Sequence, residues 1–94
     1  MVQSSGTFET EHGAKYLTQL CKHFAHKIEV SHGDGHGECH FPFGHAVLEA
    51  DGTALTIRLD ASDADQLART KAVIDDHLAR FAFREPERAI QWNA

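Results

Sequence analysis

Two Asp-Gly dipeptides, Asp34-Gly35 and Asp51-Gly52, constrain the fold of this chain more than any other feature. Asp-Gly between alternating apolar and polar segments is a strong local signal for a β-hairpin, because glycine accepts the positive φ that a tight turn requires. Residues 27–32 place Ile28 and Val30 on one face. A two-residue loop at Asp34-Gly35 pairs Val30 with Cys39 and Ile28 with Phe41, and turns Glu29/His40 and Ser31/Glu38 to the other face. A slip of one residue would carry every apolar side chain to the polar side, so the pattern specifies its own register. Asp51-Gly52 repeats the device. A two-residue loop there pairs Leu48 with Leu55 and Ala46 with Ile57, with Val47/Thr56 and His45/Arg58 facing out. Phe41-Pro42-Phe43-Gly44 joins the hairpins. Pro42 has no N–H for a ladder and the inward parity changes between Phe43 and Ala46, so a turn or bulge is expected there.

The segments on either side are helical. A short first strand runs from Val2 through Gly6-Thr7-Phe8. Thr10 is the expected N-cap of a helix with Glu11 in its first turn, and Leu17, Leu20, Cys21 and Phe24 recur at helical spacing toward His26. Ser62 is the expected cap of a second helix, with Asp63 and Asp65 in its first turn. Its stripe is Leu67, Ile74, Leu78 and Phe81, and it should end near Arg84, before Pro86. Residues 89–92 read as a last strand with Ile90 and Trp92 on one face. The order β-α-β-β-β-β-α-β implies an α+β fold, a single mainly antiparallel β-sheet with two α-helices packed on one face. Residues 1–94 are expected to be one domain, since 94 residues cannot enclose two cores. Leu17, Leu20, Phe24, Ile57, Leu59, Ile74, Leu78 and Phe81 are the expected core.

Composition excludes several classes of function. The longest apolar runs are triplets such as Ala46-Val47-Leu48, so no membrane helix is expected. Residues 1–11 show neither a basic cluster nor an apolar h-region, so the chain is read as cytoplasmic. A net charge of -5 with nine Lys and Arg gives no footprint for nucleic acid or an anionic membrane. Cys21 and Cys39 form no C-x-x-C pair and are read as buried, reduced, small apolar residues. No nucleophile elbow, phosphate-binding glycine loop or H-E-x-x-H occurs.

Histidine is the unusual count: eight residues, seven of them within the first 45. Three segments are candidates for chemistry. In residues 21–27, His23 and His26 lie at i and i+3 on the helix face away from Cys21. They form half a metal site that needs outside ligands, or simply a basic helix end that complements the dipole. In residues 32–40, the hairpin register scatters the donors: His40 and Glu38 face outward, Cys39 inward, and His36 sits at the turn. This reads more simply as a polar, glycine-rich hairpin. In residues 75–85, His77 lies at the edge of the apolar stripe, toward the seam between the helices. Arg80 and Arg84, one turn apart, are spaced to clamp a carboxylate, or to pair with Asp76 or Glu87.

Three blocks carry a resemblance: residues 16–27 around Cys21-Lys22-His23-Phe24-Ala25-His26-Lys27, the Phe41-Pro42-Phe43-Gly44 turn, and residues 76–85 around Asp76-His77-Leu78 and Arg80-Phe81-Ala82-Phe83-Arg84-Glu85. Together they resemble the bacterial domain of unknown function 2218 family, over nearly the whole chain. Members are small domains, some joined to a siderophore-interacting flavoprotein, and no reaction is assigned to them. His23, His26, His77, Arg80 and Arg84 fall inside the matching blocks; His32, Cys39, His40 and His45 fall outside. The resemblance implies a context in iron handling. The expectation is a non-enzymatic accessory domain binding a divalent metal such as Fe or Zn, or a small iron chelate. His23, His26 and His77 would be metal ligands, and Arg80 and Arg84 would hold ligand carboxylates. One alternative is a docking module for a redox partner, with the flavoprotein as the implied partner and no metal. The other is a small enzyme using His23 or His77 as general base, which would need an enclosed pocket such as a homodimer interface supplies.

Overall fold

The computed structural model describes residues 1–93. The chain runs β1 (Val2–Glu9), α1 (Gly13–Phe24), β2 (Glu29–Gly33), β3 (His36–Phe41), β4 (Gly44–Ala50), β5 (Ala54–Ala61), α2 (Ala64–Phe81) and β6 (Gln91–Asn93). The strands form one antiparallel sheet in the order β2-β3-β4-β5-β1-β6, with the two helices on one face. Among the described residues, no helix is long and apolar enough to cross a membrane.

The first hairpin forms as its pattern requires. Val30 pairs with Cys39, Glu29 with His40 and Ser31 with Glu38, and Gly35 takes the positive φ, 67°, at the turn. The Ile28–Phe41 pair does not form. The Ile28 N–H donates to the Phe24 carbonyl at 3.0 Å, so β2 begins at Glu29. Phe41 pairs with Gly44, which makes Pro42-Phe43 the loop of a two-residue turn.

The second hairpin departs from expectation by two residues. Leu48 pairs with Ile57, Ala46 with Leu59 and Ala50 with Leu55. The Asp51 side chain is the cause: one carboxylate oxygen accepts from the N–H of Thr53 (2.8 Å), the N–H of Ala54 (2.9 Å) and the Thr53 hydroxyl (2.9 Å). This carboxylate organises a longer loop than Asp-Gly alone demands. A shift of two residues preserves the parity of side chains, so the inward residues are those expected.

The helix ends also differ. α1 starts at Gly13, not after Thr10, because the Thr10 N–H still donates to the Thr53 carbonyl (3.0 Å) and holds it to the sheet. His12 occupies the N-cap position, with no side-chain cap bond. α1 ends at Phe24, and the following amides of Lys27 and Ile28 both return to the Phe24 carbonyl at 3.0 Å. At α2, Asp63 rather than Ser62 is the N-cap. Its backbone is extended (φ -152°, ψ 175°) and its carboxylate accepts from the Gln66 N–H at 2.8 Å. α2 stops at Phe81, so Arg84 lies beyond the helix.

The core lies between the helices and the sheet. Leu17, Leu20, Phe24, Ile57, Leu59, Ile74 and Leu78 are buried, joined by Phe8, Tyr16, Leu48 and Leu55; Phe81 only borders the cluster. Cys21 and Cys39 are buried free thiols that meet across the α1–β3 contact. Hydrogen bonding to the Cys21 sulfur and burial push the Cys39 thiol up, away from ionisation at neutral pH.

One polar knot fastens the segment after α2 to the start of the chain. The Glu85 carboxylate accepts from the Tyr16 hydroxyl (2.5 Å) and the Thr10 hydroxyl (2.9 Å). Burial first, and then Glu85, push the Tyr16 hydroxyl up to about 12 from its ordinary 10.0. Since the folded value is the higher, this group's stabilisation is complete below pH 10 and is lost as pH rises through about 12. The melting temperature should therefore fall between those limits, and fall less steeply in Tyr16→Phe. Parallel curves for the two proteins would exclude Tyr16 as the group responsible.

Candidate functional site

The seam where α1, α2 and the β3–β4 turn converge holds a cleft of about 220 Å³. His23 and Phe24 enter it from α1, Val73 and His77 from α2, and Phe41 and Phe43 from the turn. Pro42 shapes the turn so that both its phenylalanines line the cleft; they stack with centroids 5.3 Å apart and planes 20° from parallel. The Arg69 guanidinium covers the Phe43 ring at 4.5 Å. Phe24 meets Phe41 edge-on at 5.0 Å and His77 at 4.9 Å. The result is a mostly aromatic cleft with two imidazoles and one amine, Lys27.

The two imidazoles come from different helices and lie with ring centroids 4.8 Å apart. His77 Nδ1 is 2.7 Å from the Val73 carbonyl oxygen. A carbonyl only accepts, so Nδ1 is the protonated nitrogen and Nε2 keeps a free lone pair. Metal-ligating and ligand-binding histidines are commonly oriented this way. His23 is held below the ordinary imidazole value of 6.5, first by desolvation and then by the adjacent positive charge of His77, His26, Lys27 and Arg80. The depressed value leaves His23 uncharged, and so able to accept a hydrogen bond, at neutral pH.

The structure brings together His23 and His77 and leaves the other expected residues outside the cleft lining. His26 lies past the helix end, where the amides of His26 and Lys27 return to carbonyls three residues back, and it does not line the cleft. Arg80 pairs with Asp76 at 3.0 Å across one turn of α2, and Arg84 sits beyond the helix over the Phe83 ring. They do not converge on one point. Lys27 supplies the cation in the cleft instead, and Phe41 and Phe43, flanking the turn, supply its walls. The alternation Phe-Pro-Phe was the available signal: a two-residue turn closed by proline places both rings at one end of the sheet. A larger hollow of about 520 Å³, lined by Ser5, Val47, Arg58, Leu59, Asp60 and Asn93 among others, is a shallow trough on a different part of the molecule. It lacks the convergent aromatic and imidazole groups of the seam.

A family model described as "Uncharacterized protein conserved in bacteria (DUF2218)" matches residues 5–93. The chain is similar to the NMR structure of PA4090 from Pseudomonas aeruginosa, with 34% sequence identity and a TM-score of 0.83, over 99% of this chain and 96% of that one. No curated protein matches it.

Proposed function

Since the chain belongs to the bacterial domain of unknown function 2218 family, we propose that it is an accessory domain that binds a small flat ligand at the helix seam, in the service of iron handling. The observation that carries this reading is the His23–His77 pair, 4.8 Å apart and set in an aromatic cleft. Aromatic walls favour a planar ligand, and two acceptor nitrogens favour one that offers hydroxyl donors or an ion it already chelates. Two imidazoles alone are too few to hold a bare ion, so a metal at the seam would arrive with donors of its own. A catechol-type iron chelate meets each requirement. The siderophore-interacting flavoprotein that the resemblance implies would be the partner that reduces it. A binding role is favoured over general-base catalysis because the described lining offers no hydroxyl, thiol or carboxylate beside the imidazoles.

The test uses catechol and its ferric complex as probes, followed by amide chemical shifts and melting temperature. Resonances of residues 23–28, 41–43 and 73–77 should move. At about 100 times the dissociation constant the melting temperature should rise by about 10–20 °C. The rise should disappear in His23→Ala/His77→Ala and weaken at acid pH, once the pH falls through the His23 value, which lies below the ordinary 6.5, and a proton takes its nitrogen. Shifts confined to other parts of the molecule, or no shift with either probe, would remove the reading.

A further inference from the structure

On the helix-free face of the sheet, the side chains of Glu38, His40 and His45 offer ligand atoms that all lie within 4.8 Å of one another. We propose that this face binds a divalent transition-metal ion through these three residues, independently of the seam.

The sheet itself assembles the group. Along β3, Gly37 and Cys39 point into the core, so Glu38 and His40 point out. The two-residue Pro42-Phe43 turn sets His45 of β4 directly opposite His40, and their rings stack at 4.5 Å and 19°. Glu38 is one diagonal step away, with Oε1 3.4 Å from His45 Nε2. That nitrogen is buried and makes no hydrogen bond of acceptable geometry, an orphan aimed into the cluster. Its other ring nitrogen, Nδ1, lies 3.8 Å from Asp60 Oδ2, on the opposed residue of β5. A carboxylate behind a ligating imidazole is the usual support of a metal-bound histidine.

The surroundings suit a cation. Arg58 is occupied by Glu49 at 2.5 Å, and the negative charges beside the two imidazoles are Glu38, Asp60 and Glu29, the last opposed to His40 across β2–β3. His36 Nε2 contacts the other Glu38 oxygen at 3.2 Å and steadies the carboxylate without taking Oε1. A hollow of about 260 Å³ borders the group on the side of His40, His45 and Asp60, with room for water or a fourth ligand beside the two imidazoles. Tetrahedral coordination at zinc distances puts donors about 3.3–3.4 Å apart. Binding would draw in the exposed His40 ring to close the difference. Two imidazoles and a carboxylate with an open position are a donor set for Zn(II), Co(II) or Fe(II).

The experiment titrates Zn(II) into the full chain by calorimetry, with Co(II) absorption reporting coordination. We expect one ion per chain. His40→Ala/His45→Ala should weaken binding at least a hundredfold and abolish the Co(II) bands. Glu38→Gln, which keeps the shape of the side chain, should weaken it at least tenfold. Asp60→Asn leaves all three ligands in place and should still cost about tenfold, as loss of an outer carboxylate does. His23→Ala/His77→Ala should bind Zn(II) as the parent does, which separates this site from the seam. Binding that survives in the folded Glu38→Gln and His40→Ala/His45→Ala variants would overturn the proposal. So would binding lost in the seam variant, or absent from the parent at millimolar Zn(II).

Discussion

Phe24→Ala should lower the unfolding free energy by about 3–5 kcal/mol, a large part of what a domain of this size possesses. Phe24 is 6% exposed and stands where α1, the β3–β4 turn and α2 meet. Its ring contacts Phe41 at 5.0 Å, His77 at 4.9 Å and His23 at 5.6 Å. Truncation removes the common partner of three elements, and rings held from three directions cannot collapse into the space. Urea denaturation measures the effect. A loss below about 1 kcal/mol would mean that the cavity is refilled by local rearrangement. The same variant should loosen the seam, so any ligand there should bind more weakly even where the chain remains folded.

Gly37→Ala should cost about 1–3 kcal/mol through overpacking. A Cβ at residue 37 would stand 2.6 Å from Cys21 Sγ and 3.4 Å from Leu17 Cδ2. Neither neighbour has space to retreat, since Cys21 and Leu17 are 0% and 1% exposed. The sulfur is also backed by Cys39 on the next inward position of β3. Cys21→Ala in the same chain removes the obstructing atom, so the double variant should be more stable than the two single losses predict. A double-mutant cycle should yield a coupling of about 1 kcal/mol or more. Strict additivity would show that the strand moves aside and that the thiol is not the obstacle.

The fold could be read from the sequence wherever a local pattern set the geometry, and was misread where a side chain changed the length of a turn. The β2–β3 register follows from the alternation around Asp34-Gly35, because a slip would expose Val30 and Cys39 together. The second hairpin uses the same dipeptide, yet Asp51 binds two backbone amides and a hydroxyl, and the loop lengthens. Asp63 replaced Ser62 as cap for a similar reason: both residues have suitable side chains, and the extended backbone selected the later one. The seam was half legible. His23 and His77 each lie on a helix edge that periodicity places, but their meeting depends on how α1 and α2 cross, which no local pattern states. The outward aim of Glu38 and His40 followed from the hairpin, and that of His45 from the next. Their convergence needed Phe41 to pair with Gly44, so that the turn between the hairpins is as tight as it is.

The position of β1 has a consequence for how the chain acquires its structure. β2 to β5 are neighbours in sequence and in the sheet, so they can zip together from short-range turns. β1 precedes these strands in the chain but lies between β5 and β6, pairing Val2 with Ala61 on one side and Ser5 with Asn93 on the other. During synthesis it must wait, unpaired, until β5 has emerged, and its second edge stays open until β6 has followed. Closing those large loops brings entropy losses that the meander does not face, so docking of β1 is the natural slow step. Until then a nascent chain carries a free strand edge on β5, and that edge is where two unfinished copies would first stick together.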